Sequence, residues 1–435
     1  MNFPPHSRRI WLKRAAATAA GLWAAPQWIP AAALGAGRRP APSHRLTMGM
    51  IGLGSMGMRN LKGFLQEPDC QITAVCDVDA SRVQEAVVEV NRTYGDSGCA
   101  RYRDFRDVIA RSDIDLLCLC LPDHWHSIPA ILGARAGKDI YGEKPLALTI
   151  AEGRAMVEEV RRSSIVWQTG SWQRSTAHFR FACELVRNGR IGKLERIEVG
   201  LGVGPTIGPQ PPMPVPAGFD YEMWLGPAPW VPYTQRRCHW DFRWILDYSG
   251  GQNTDCGAHD IDIAHWGMDV EQTGPLTVEG AGEFPSDGLW DAAVHYKYEC
   301  HYANGLVLMV GSRNHYPTGV RFIGSRGWVY VNRTLVDAHP RFLLKERFGP
   351  DEVHLYSSPP DRQGHRRNFL DCVKSRRPPA STIEVAHRSI AVAHLGHIAM
   401  KLGRKLRWNP DTEQLADDPT ASRMLGRPMR APWGF

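Results

Sequence analysis

Residues 48–57 of this 435-residue chain read MGMIGLGSMG, and this stretch decides the fold. Its apolar start predicts a buried strand, and Gly52, Gly54 and Gly57 follow the spacing Gly-x-Gly-x-x-Gly. Gly52 permits a tight turn, Gly54 lets the backbone approach a pyrophosphate, and Gly57 lets the next helix pack closely on the strand. A strand, this turn and a helix in succession predict a dinucleotide-binding domain, with the pyrophosphate at the helix N-terminus.

Asp77 indicates which dinucleotide is bound. It stands 20 residues after Gly57, at the end of a second predicted strand. A carboxylate in this position accepts hydrogen bonds from ribose hydroxyls and would repel a 2′-phosphate, so the sequence predicts NAD as the cofactor. Arg82 lies close by and keeps NADP open as an alternative. Ser55 and Met56, inside the glycine motif, are also predicted to contact the cofactor.

Strand and helix patterns alternate from residue 46 to residue 165. This alternation predicts an α/β Rossmann domain with a doubly wound parallel sheet. Residues 114–121 form a continuous apolar run, which is typical of a strand buried on both faces. From residue 166 to residue 435 the predicted strands pair around turns, as at Asn304-Gly305. We expect an α+β substrate-binding domain there, with a large, mainly antiparallel sheet and a C-terminal tail.

The first 45 residues are predicted to be a twin-arginine signal and a linker. Arg8 and Arg9 precede an Ala-rich run, residues 15–25, which is too short to span a membrane, and small residues at 31–36 offer a cleavage site. This pattern predicts export to a bacterial periplasm, with the twin-arginine export machinery as a partner. The alternatives are an uncleaved anchoring tail and a cytoplasmic enzyme.

Charge and cysteine usage exclude some classes of function. Part of the net charge of +7 comes from the arginine-rich first 45 residues and the remainder is nearly balanced, so no nucleic-acid partner is predicted. Cys76, Cys118 and Cys120 lie within apolar strand patterns, where a thiol acts as a small hydrophobic group. No pair of cysteines has the Cys-x-x-Cys spacing of a zinc site, and no metal is predicted.

Glu143-Lys144-Pro145 follows a short predicted strand at the carboxyl edge of the parallel sheet, where open α/β sheets bind ligands. Beside a cationic nicotinamide, the Lys144 amine would either have a depressed pKa or donate a hydrogen bond to a substrate hydroxyl. Glu143 and Lys144 are therefore predicted to contact the cofactor, and a solvated surface lysine is the alternative.

Asp255 and His259 are four residues apart in a stretch with helical apolar spacing, so their side chains are expected on one face of a helix. The pair suits proton abstraction, with His259 as the base and Asp255 as its orienting partner. A metal site would need a third and a fourth ligand, and none is obvious nearby. A buried pair that stabilises the helix is the structural alternative.

Two further groups of side chains are candidates for ligand contacts. Pro122, His124 and His126 follow the buried strand and could contact the cofactor diphosphate or ribose, or cap the next helix. Aromatic residues interleaved with hydrogen-bond donors suit a sugar or polyol, with ordinary core packing as the alternative. The substrate-binding residues predicted on this basis are Gln173, Arg174, Tyr233, Arg236 and Arg243.

The glycine motif, Asp77, Glu143-Lys144-Pro145 and Asp255-x-x-x-His259 occur in this order. The combination resembles the Gfo/Idh/MocA family, which includes glucose–fructose oxidoreductase and inositol dehydrogenase, over about residues 46–400. The resemblance implies a Rossmann domain followed by an open-faced sheet domain, and a homo-oligomer. It also implies a cis Lys144–Pro145 bond and makes Lys144, Asp255 and His259 the catalytic residues.

Two segments, PDHWH at 122–126 and DYSGG at 247–251, resemble an exported subgroup of this family. Members of that subgroup often read DWGAHH from the position of Asp255, whereas this chain has Cys256 and Asp260. The change next to the predicted base means that the resemblance does not identify the substrate.

The resemblance implies an NAD(P)-dependent oxidoreductase that acts on a sugar or polyol by hydride transfer. His259 would accept the hydroxyl proton, Lys144 would donate to the same oxygen, and Asp255 would position the substrate hydroxyl or His259. Because free NAD is scarce outside the cytoplasm, export would require a tightly bound cofactor that is recycled in place. The alternatives are a redox-neutral, NAD-dependent glycoside hydrolase that oxidises its sugar transiently, and a non-catalytic sugar-binding protein.

Overall fold

The computed structural model of the chain describes residues 39–355 and 361–435. The predicted signal falls on residues 1–38, which lie outside the described residues. The described residues 39–45 belong to a unit of their own, with a 3-10 turn at Pro42–His44, and the chain from Leu46 onward forms a second unit. Among the described residues, no helix has both the length and the apolar character needed to cross a membrane.

The first sheet contains six parallel strands, as the alternating sequence pattern predicts. The strands are β1 (Leu46–Ile51), β2 (Cys70–Cys76), β3 (Ala100–Tyr102), β4 (Leu116–Leu119), β5 (Asp139–Gly142) and β6 (Trp167–Thr169). Their spatial order is β3-β2-β1-β4-β5-β6, so the order of connection reverses between β1 and β4. In open parallel sheets a ligand crevice forms at such a switch point.

Helices connect these strands, and polar side-chain caps mark the start of three of them, with Asp104 accepting from the Arg106 N–H at the start of Phe105–Ile109. The helices are α1 (Ser55–Phe64), α2 (Ala80–Tyr94), α3 (Phe105–Ile109), α4 (Ser127–Arg135) and α5 (Ile150–Ser163). Asp79 accepts from the Ser81 N–H at the start of α2, and Thr149 accepts from the Glu152 N–H at the start of α5. α1 begins at Ser55, inside the glycine motif, without a side-chain cap, which leaves its first N–H groups for a ligand.

The second sheet contains nine strands and is mainly antiparallel. The strands are β7 (Leu194–Leu201), β8 (Thr277–Glu283), β9 (His295–His301), β10 (Val307–Ser312), β11 (Gly319–Gly324), β12 (Gly327–Val331), β13 (Val336–His339), β14 (Leu406–Asn409) and β15 (Gln414–Leu415). Their order is β13-β12-β11-β7-β10-β9-β8-β14-β15, and β7 and β10 form its parallel pair. The predicted turn at Asn304-Gly305 joins β9 to β10, with Gly305 at φ +83°.

One face of this second sheet is covered by helices. The helices after β6 are α6 (Ala177–Arg187), α7 (Tyr221–Leu225), α8 (Gln252–Asp255), α9 (Gly257–Met268), α10 (Asp361–Ser375), α11 (Ile383–Leu402) and α12 (Pro419–Arg423). In β9, Tyr296 and Tyr298 are buried while Lys297 between them is exposed, which is the alternation of an open-faced sheet. α11 packs so closely that a Cβ on Gly396 would lie 2.5 Å from the Tyr298 ring.

The parallel sheet extends past the boundary that the sequence predicts between residues 165 and 166. β6 follows that position and pairs with β5 as the edge of the parallel sheet. Phe369 and Leu370 of α10 are buried in the core of the first domain, although they come late in the chain. A three-residue strand is too short for a periodic signal, and a returning helix is a long-range contact, so the sequence shows neither feature.

Candidate active site

A cavity of about 300 Å³ opens at the switch point between β1 and β4. Its wall combines the glycine motif, the ends of β2 and β4, and the segment after β5 that contains Lys144. Trp224, Trp240 and Asp255, which come from the second part of the chain, complete the wall. The predicted ligand edge of the parallel sheet therefore borders a cavity that both parts of the chain help to form.

The glycine motif is shaped to receive a phosphate-bearing ligand. Gly52 has a φ of +87°, and a Cβ there would lie 2.2 Å from the Cys120 carbonyl oxygen. A Cβ on Gly57 would lie 2.1 Å from the Gly52 carbonyl oxygen, so both the turn and the helix packing require glycine. Gly54 lines the cavity, where a Cβ would meet the Arg82 guanidinium at 3.3 Å. The start of α1 and this arginine fit the pyrophosphate of a dinucleotide.

The backbone holds the carboxylate of Asp77 at the end of β2. Its Oδ2 accepts from the Leu53 N–H at 2.7 Å, and its Oδ1 accepts from the Asp79 N–H at 2.9 Å. Burial raises the pKa of this carboxyl, against the opposing effects of Arg82 and the two N–H donors. Arg82 in turn lies 2.6 Å from the His239 Nδ1. Asp77, which favours NAD, and Arg82, which would suit NADP, therefore both line this end of the cavity.

Two predicted cofactor contacts lie away from the cavity. His124 is fully buried, its Nε2 is 2.9 Å from the Trp224 carbonyl oxygen, and burial lowers its pKa to about 3. His126 Nδ1 is 2.6 Å from the Pro145 carbonyl oxygen, and its Nε2 is 2.8 Å from that of Leu121. Both histidines therefore hold loops around the cavity together. The predicted contacts that do line it are Gly52, Gly54, Ser55, Met56, Gly57, Asp77, Pro122, Glu143 and Lys144.

Lys144 and Asp255 are in direct contact on the cavity wall. Lys144 Nζ lies 2.6 Å from Asp255 Oδ1 and donates to the Asp255 carbonyl oxygen at 3.0 Å. Burial disfavours the charged amine, but the Asp255 carboxylate outweighs it and holds the pKa of Lys144 above its ordinary value. Burial likewise raises the pKa of Asp255, but Lys144 and Arg243 lower it below its ordinary value. The contact therefore supports a cationic donor rather than an amine with a depressed pKa.

The residues on both sides of Lys144 are anchored. Glu143 is buried, and its Oε1 accepts from the Asn60 Nδ2 of α1 at 2.8 Å. Burial raises the pKa of Glu143, against the effects of that hydrogen bond and of Lys144. The Lys144–Pro145 peptide bond is cis, as the family resemblance implies.

His259 lies about one helical turn beyond Asp255. α8 ends at Asp255 and α9 begins at Gly257, with Cys256 in helical conformation between them. The His259 side chain is buried, and its ring faces that of Trp172 with a centroid distance of 6.1 Å. The structure therefore joins Lys144 to Asp255, and places His259 on the next turn, beside Trp172.

The predicted substrate residues divide between the site and the interior. Arg243 lines the cavity, and its Nε lies 3.6 Å from Asp255 Oδ2. The Gln173 amide nitrogen donates to the His259 carbonyl oxygen at 3.2 Å, so Gln173 supports the helix that carries the predicted base.

Of the five predicted substrate residues, Gln173, Arg174, Tyr233 and Arg236 are not among the residues that line the cavity. Tyr233 is buried and packs edge-on against Tyr221 with ring centroids 5.3 Å apart. Arg236 forms an ion pair with Asp241 at 3.0 Å and is 45% exposed. The structure therefore gives Tyr233 a place in the core and Arg236 a place on the surface.

The prediction that Arg174 binds substrate is wrong, because this side chain is a buried cation that pairs with carboxylates of the same chain. Its side chain is 3% exposed, and its Nε and Nη2 donate to Asp262 at 2.7 and 2.8 Å. Its Nη1 donates to Glu271 at 2.7 Å. The ion pairs tie the 3-10 turn at Trp172–Ser175 to α9. Asp262 is 88 residues away in the sequence, so no local pattern indicates this pairing.

Sequence reasoning missed Arg333, which follows β12. Its guanidinium lies over the Trp172 ring, 5.4 Å from the centroid, and its Nε donates to Gln173 Oε1 at 3.3 Å. Burial raises the pKa of Asp255, and Arg333 is among the cations that lower it. No motif marks this arginine, because only the fold of the second sheet brings it to the site.

A covering segment, residues 216–248, was also missed. It packs over the ligand edge of the parallel sheet, where the Ala80 N–H donates to the Gly218 carbonyl oxygen at 2.9 Å. Arg103, after β3, pairs with Asp220 at 2.7 Å. Several aromatic side chains of the segment line the cavity. The segment thereby closes the dinucleotide edge from outside.

Comparison with known proteins agrees with this architecture. The family model for the NAD-binding Rossmann fold of the oxidoreductase family matches residues 46–171, and the model for its C-terminal alpha/beta domain matches residues 207–435. The myo-inositol 2-dehydrogenase of Thermotoga maritima is 26% identical over 377 residues, which cover 82% of this chain and 96% of that protein.

Other similarities are more partial or more distant. A glycosyl hydrolase family 109 protein of Saccharopolyspora erythraea is 30% identical over 210 residues, 44% of each chain. Several curated relatives are matched over only about half of their length. The solved aldose-aldose oxidoreductase of Caulobacter crescentus has the same fold, with a TM-score of 0.61 at 20% identity over 83% of this chain and 99% of that one. The chain belongs to the Gfo/Idh/MocA oxidoreductase family, and its first domain is an NAD-binding Rossmann domain.

Proposed function

We propose that the chain transfers hydride between a carbinol carbon of a sugar or polyol and a tightly bound NAD. The observation that carries this proposal is the 2.6 Å contact between Lys144 Nζ and Asp255 Oδ1 on the wall of the glycine-lined cavity. A charged donor beside a nicotinamide site is suited to a substrate oxygen that gains negative charge. The relative matched over 96% of its length is named for a polyol, which supports the substrate class.

Three side chains have separate tasks in this proposal. Lys144 donates to the substrate oxygen and stabilises its developing charge, an effect worth about 10²–10³-fold in rate. Asp255 holds Lys144 and can accept from a neighbouring hydroxyl. His259 accepts the hydroxyl proton, and such a base contributes about 10²–10⁴-fold. When bound, NAD would accept the hydride in its oxidised form and donate it in its reduced form.

Two elements that cover parts of the cavity support a cofactor that does not exchange. The covering segment closes one side, and Arg103 and Asp220 join it to the Rossmann domain at 2.7 Å. On another side the C-terminal tail places Trp433 against Trp125, with ring centroids 4.7 Å apart, and Trp125 lines the cavity. An NAD that does not exchange must regain its redox state in each cycle, either by reducing a second sugar or by returning the hydride to the first.

The test uses protein purified without added nucleotide. Denaturation should release NAD, and sugars or polyols added to the folded protein should change the nicotinamide absorbance. Lys144→Ala should slow the absorbance change by about 10²–10³-fold and keep the nucleotide, whereas Lys62→Ala, an exposed lysine on α1, should behave as wild type. Saturable sugar binding without any absorbance change would overturn the proposal in favour of a non-catalytic sugar-binding protein.

A redox-neutral glycoside hydrolase is the second candidate. The observation that favours it is the 30% identity over 210 residues to a protein named as glycosyl hydrolase family 109. In this route the sugar is oxidised transiently, its glycosidic substituent is eliminated, water is added and the hydride returns. Cleavage of aryl glycosides without added NAD would select this route. Oxidation of one sugar paired with reduction of another would select the first.

Export through the twin-arginine route is part of the proposal and is supported by the motif at Arg8 and Arg9. Folded export would let NAD that is loaded in the cytoplasm travel with the enzyme. Fractionation should find the wild type in the periplasm and the R8K/R9K variant in the cytoplasm. An equal distribution of the two would overturn export and leave the proposed reaction unaffected.

A homo-oligomer is also proposed, on the family resemblance and on the exposed face of the nine-stranded sheet. The alternation along β9 leaves Lys297 exposed on that face, with His295 and Glu299 half-buried beside it. Light scattering should give a mass above that of one chain, and a monomer mass would overturn this proposal.

A further inference from the structure

Two arginine–tryptophan pairs lie near the Lys144–Asp255 contact. The Arg243 guanidinium is 4.3 Å from the centroid of the Trp240 ring, and the Arg333 guanidinium is 5.4 Å from that of Trp172. An indole face beside a guanidinium combines an apolar platform with a fixed positive charge. Trp172 also faces the His259 ring at 6.1 Å, so one pair lies directly beside the predicted base.

Within the described part of the chain, the close ion pairs of the cations at this site all involve one carboxylate, Asp255. Lys144 and Arg243 both pair with Asp255, at 2.6 and 3.6 Å, and no described carboxylate lies within 4.0 Å of Arg333. The buried Nε of Arg243 has no hydrogen-bond partner among the described residues. A guanidinium binds carboxylates and phosphates through charge-assisted hydrogen bonds, so a cation with no carboxylate close to it favours an anion from outside the chain.

We infer that the substrate is a sugar with an anionic substituent, a carboxylate or a phosphate ester, which binds Arg333 while the ring lies against Trp172. The inference rests on the proposed function, since the carbinol must reach Lys144 and His259. The planar guanidinium of Arg333 presents a fork of N–H donors that matches two oxygens of one anion. A ring held on Trp172 can then present its hydroxyls toward His259.

Arg333 and Arg243 differ in exposure and in their partners, and these differences assign anion binding to Arg333. Arg333 is exposed, and its Nε reaches Gln173 Oε1 at 3.3 Å, which leaves its two terminal amino groups for a ligand. Arg243 is more enclosed and directs one amino group to the Trp240 carbonyl oxygen at 3.0 Å. Arg333 is therefore the residue whose removal should alter the preference for charge without disturbing the Lys144–Asp255 contact.

The experiment compares three sets of probes that share ring configurations (gluco, galacto and manno): neutral methyl hexopyranosides, the matching methyl hexuronosides, and hexose 6-phosphates. Half-saturation of the nicotinamide absorbance change is measured for each. An anionic set should half-saturate at about 10-fold lower concentration or better, as expected for a charge-assisted hydrogen bond. The set with the lower value distinguishes a carboxylate from a phosphate ester.

Variants assign the preference to one side chain. Arg333→Gln should raise half-saturation for the preferred anionic set by about 10-fold to 100-fold. It should leave the neutral set nearly unchanged, Arg333→Lys should restore part of the loss, and Arg407→Gln, an exposed arginine on β14, should change neither set.

Equal half-saturation of neutral and anionic sugars by the wild type would overturn the inference, whatever the variants do, and would leave the proposed oxidoreductase standing. An anionic preference that survives Arg333→Gln would also overturn it. Absence of an absorbance change with every set would overturn the inference and the proposed function together.

Discussion

Lys144 Nζ contacts Asp255 at two points, the carboxylate Oδ1 at 2.6 Å and the backbone carbonyl oxygen at 3.0 Å. The lysine comes from the end of β5 and the aspartate from the end of α8, 111 residues later. One contact between two domains therefore sets both the position and the charge of the donor.

The first prediction concerns this contact. Lys144→Ala should lower turnover by about 10²–10³-fold, because the substrate oxygen loses its charged donor. His259→Ala should lower it by about 10²–10⁴-fold. Both variants should keep bound NAD, which nucleotide release on denaturation would measure. Turnover at the wild-type rate after reconstitution with NAD would show that these residues only retain the cofactor.

Arg174 should matter for stability rather than for substrate affinity. Its side chain is 3% exposed and pairs with Asp262, which is 1% exposed, so Arg174→Met leaves a carboxylate buried without its partner. The free energy of unfolding should fall by about 3–5 kcal/mol, measured by denaturant titration. Arg236→Gln breaks the ion pair with Asp241, in which the arginine side chain is 45% exposed. This variant should change the free energy of unfolding by about 1 kcal/mol or less. A wild-type stability for Arg174→Met with a raised KM would reinstate the substrate role.

The C-terminal tail should control how long NAD stays bound. Trp433 packs on Trp125 at 4.7 Å, and Arg427 of the tail pairs with Glu152 at 2.7 Å. Aromatic pairs contribute about 0.5–1.5 kcal/mol beyond their buried area, so Trp433→Ala should release NAD about 2-fold to 10-fold faster. Phe435→Ala, at an exposed position two residues on, is the control. Dialysis followed by measurement of the retained nucleotide gives both rates, and equal rates would refute the role of the tail.

Asp260 should make stability depend on pH. Burial raises its pKa from 3.8 to about 6, against the opposing effects of Arg333 and Gln173. Between about pH 4 and pH 6 the folded protein keeps a proton that the unfolded chain has lost, so the free energy of unfolding falls as pH rises through this window. Asp260→Asn does not titrate, and its stability relative to wild type should therefore rise by about 2–3 kcal/mol from pH 4 to pH 7. Denaturant titrations of both proteins at the two pH values measure this difference, and parallel curves would contradict the raised pKa.

Features that depend on short-range geometry could be predicted from the order of residues alone. The glycine spacing and the acid at Asp77 indicated the dinucleotide edge, because a strand, a turn and a helix impose their requirements on neighbouring residues. Apolar strand patterns around Cys76 and Cys118 predicted buried thiols, and all ten cysteines are free. The order of motifs also predicted the family, which the two family models confirm.

Which side chains share the site depends on how distant parts of the chain pack together. Arg174 and Arg333 look alike in the sequence, yet one is buried against Asp262 and the other lies over Trp172 beside the predicted base. The Lys144–Asp255 contact, the covering segment and the tail at Trp433 also join residues that are far apart in the chain. Periodicity and spacing report which face of an element is buried, whereas the partner of a charged group depends on how separate elements pack, and that information is not local.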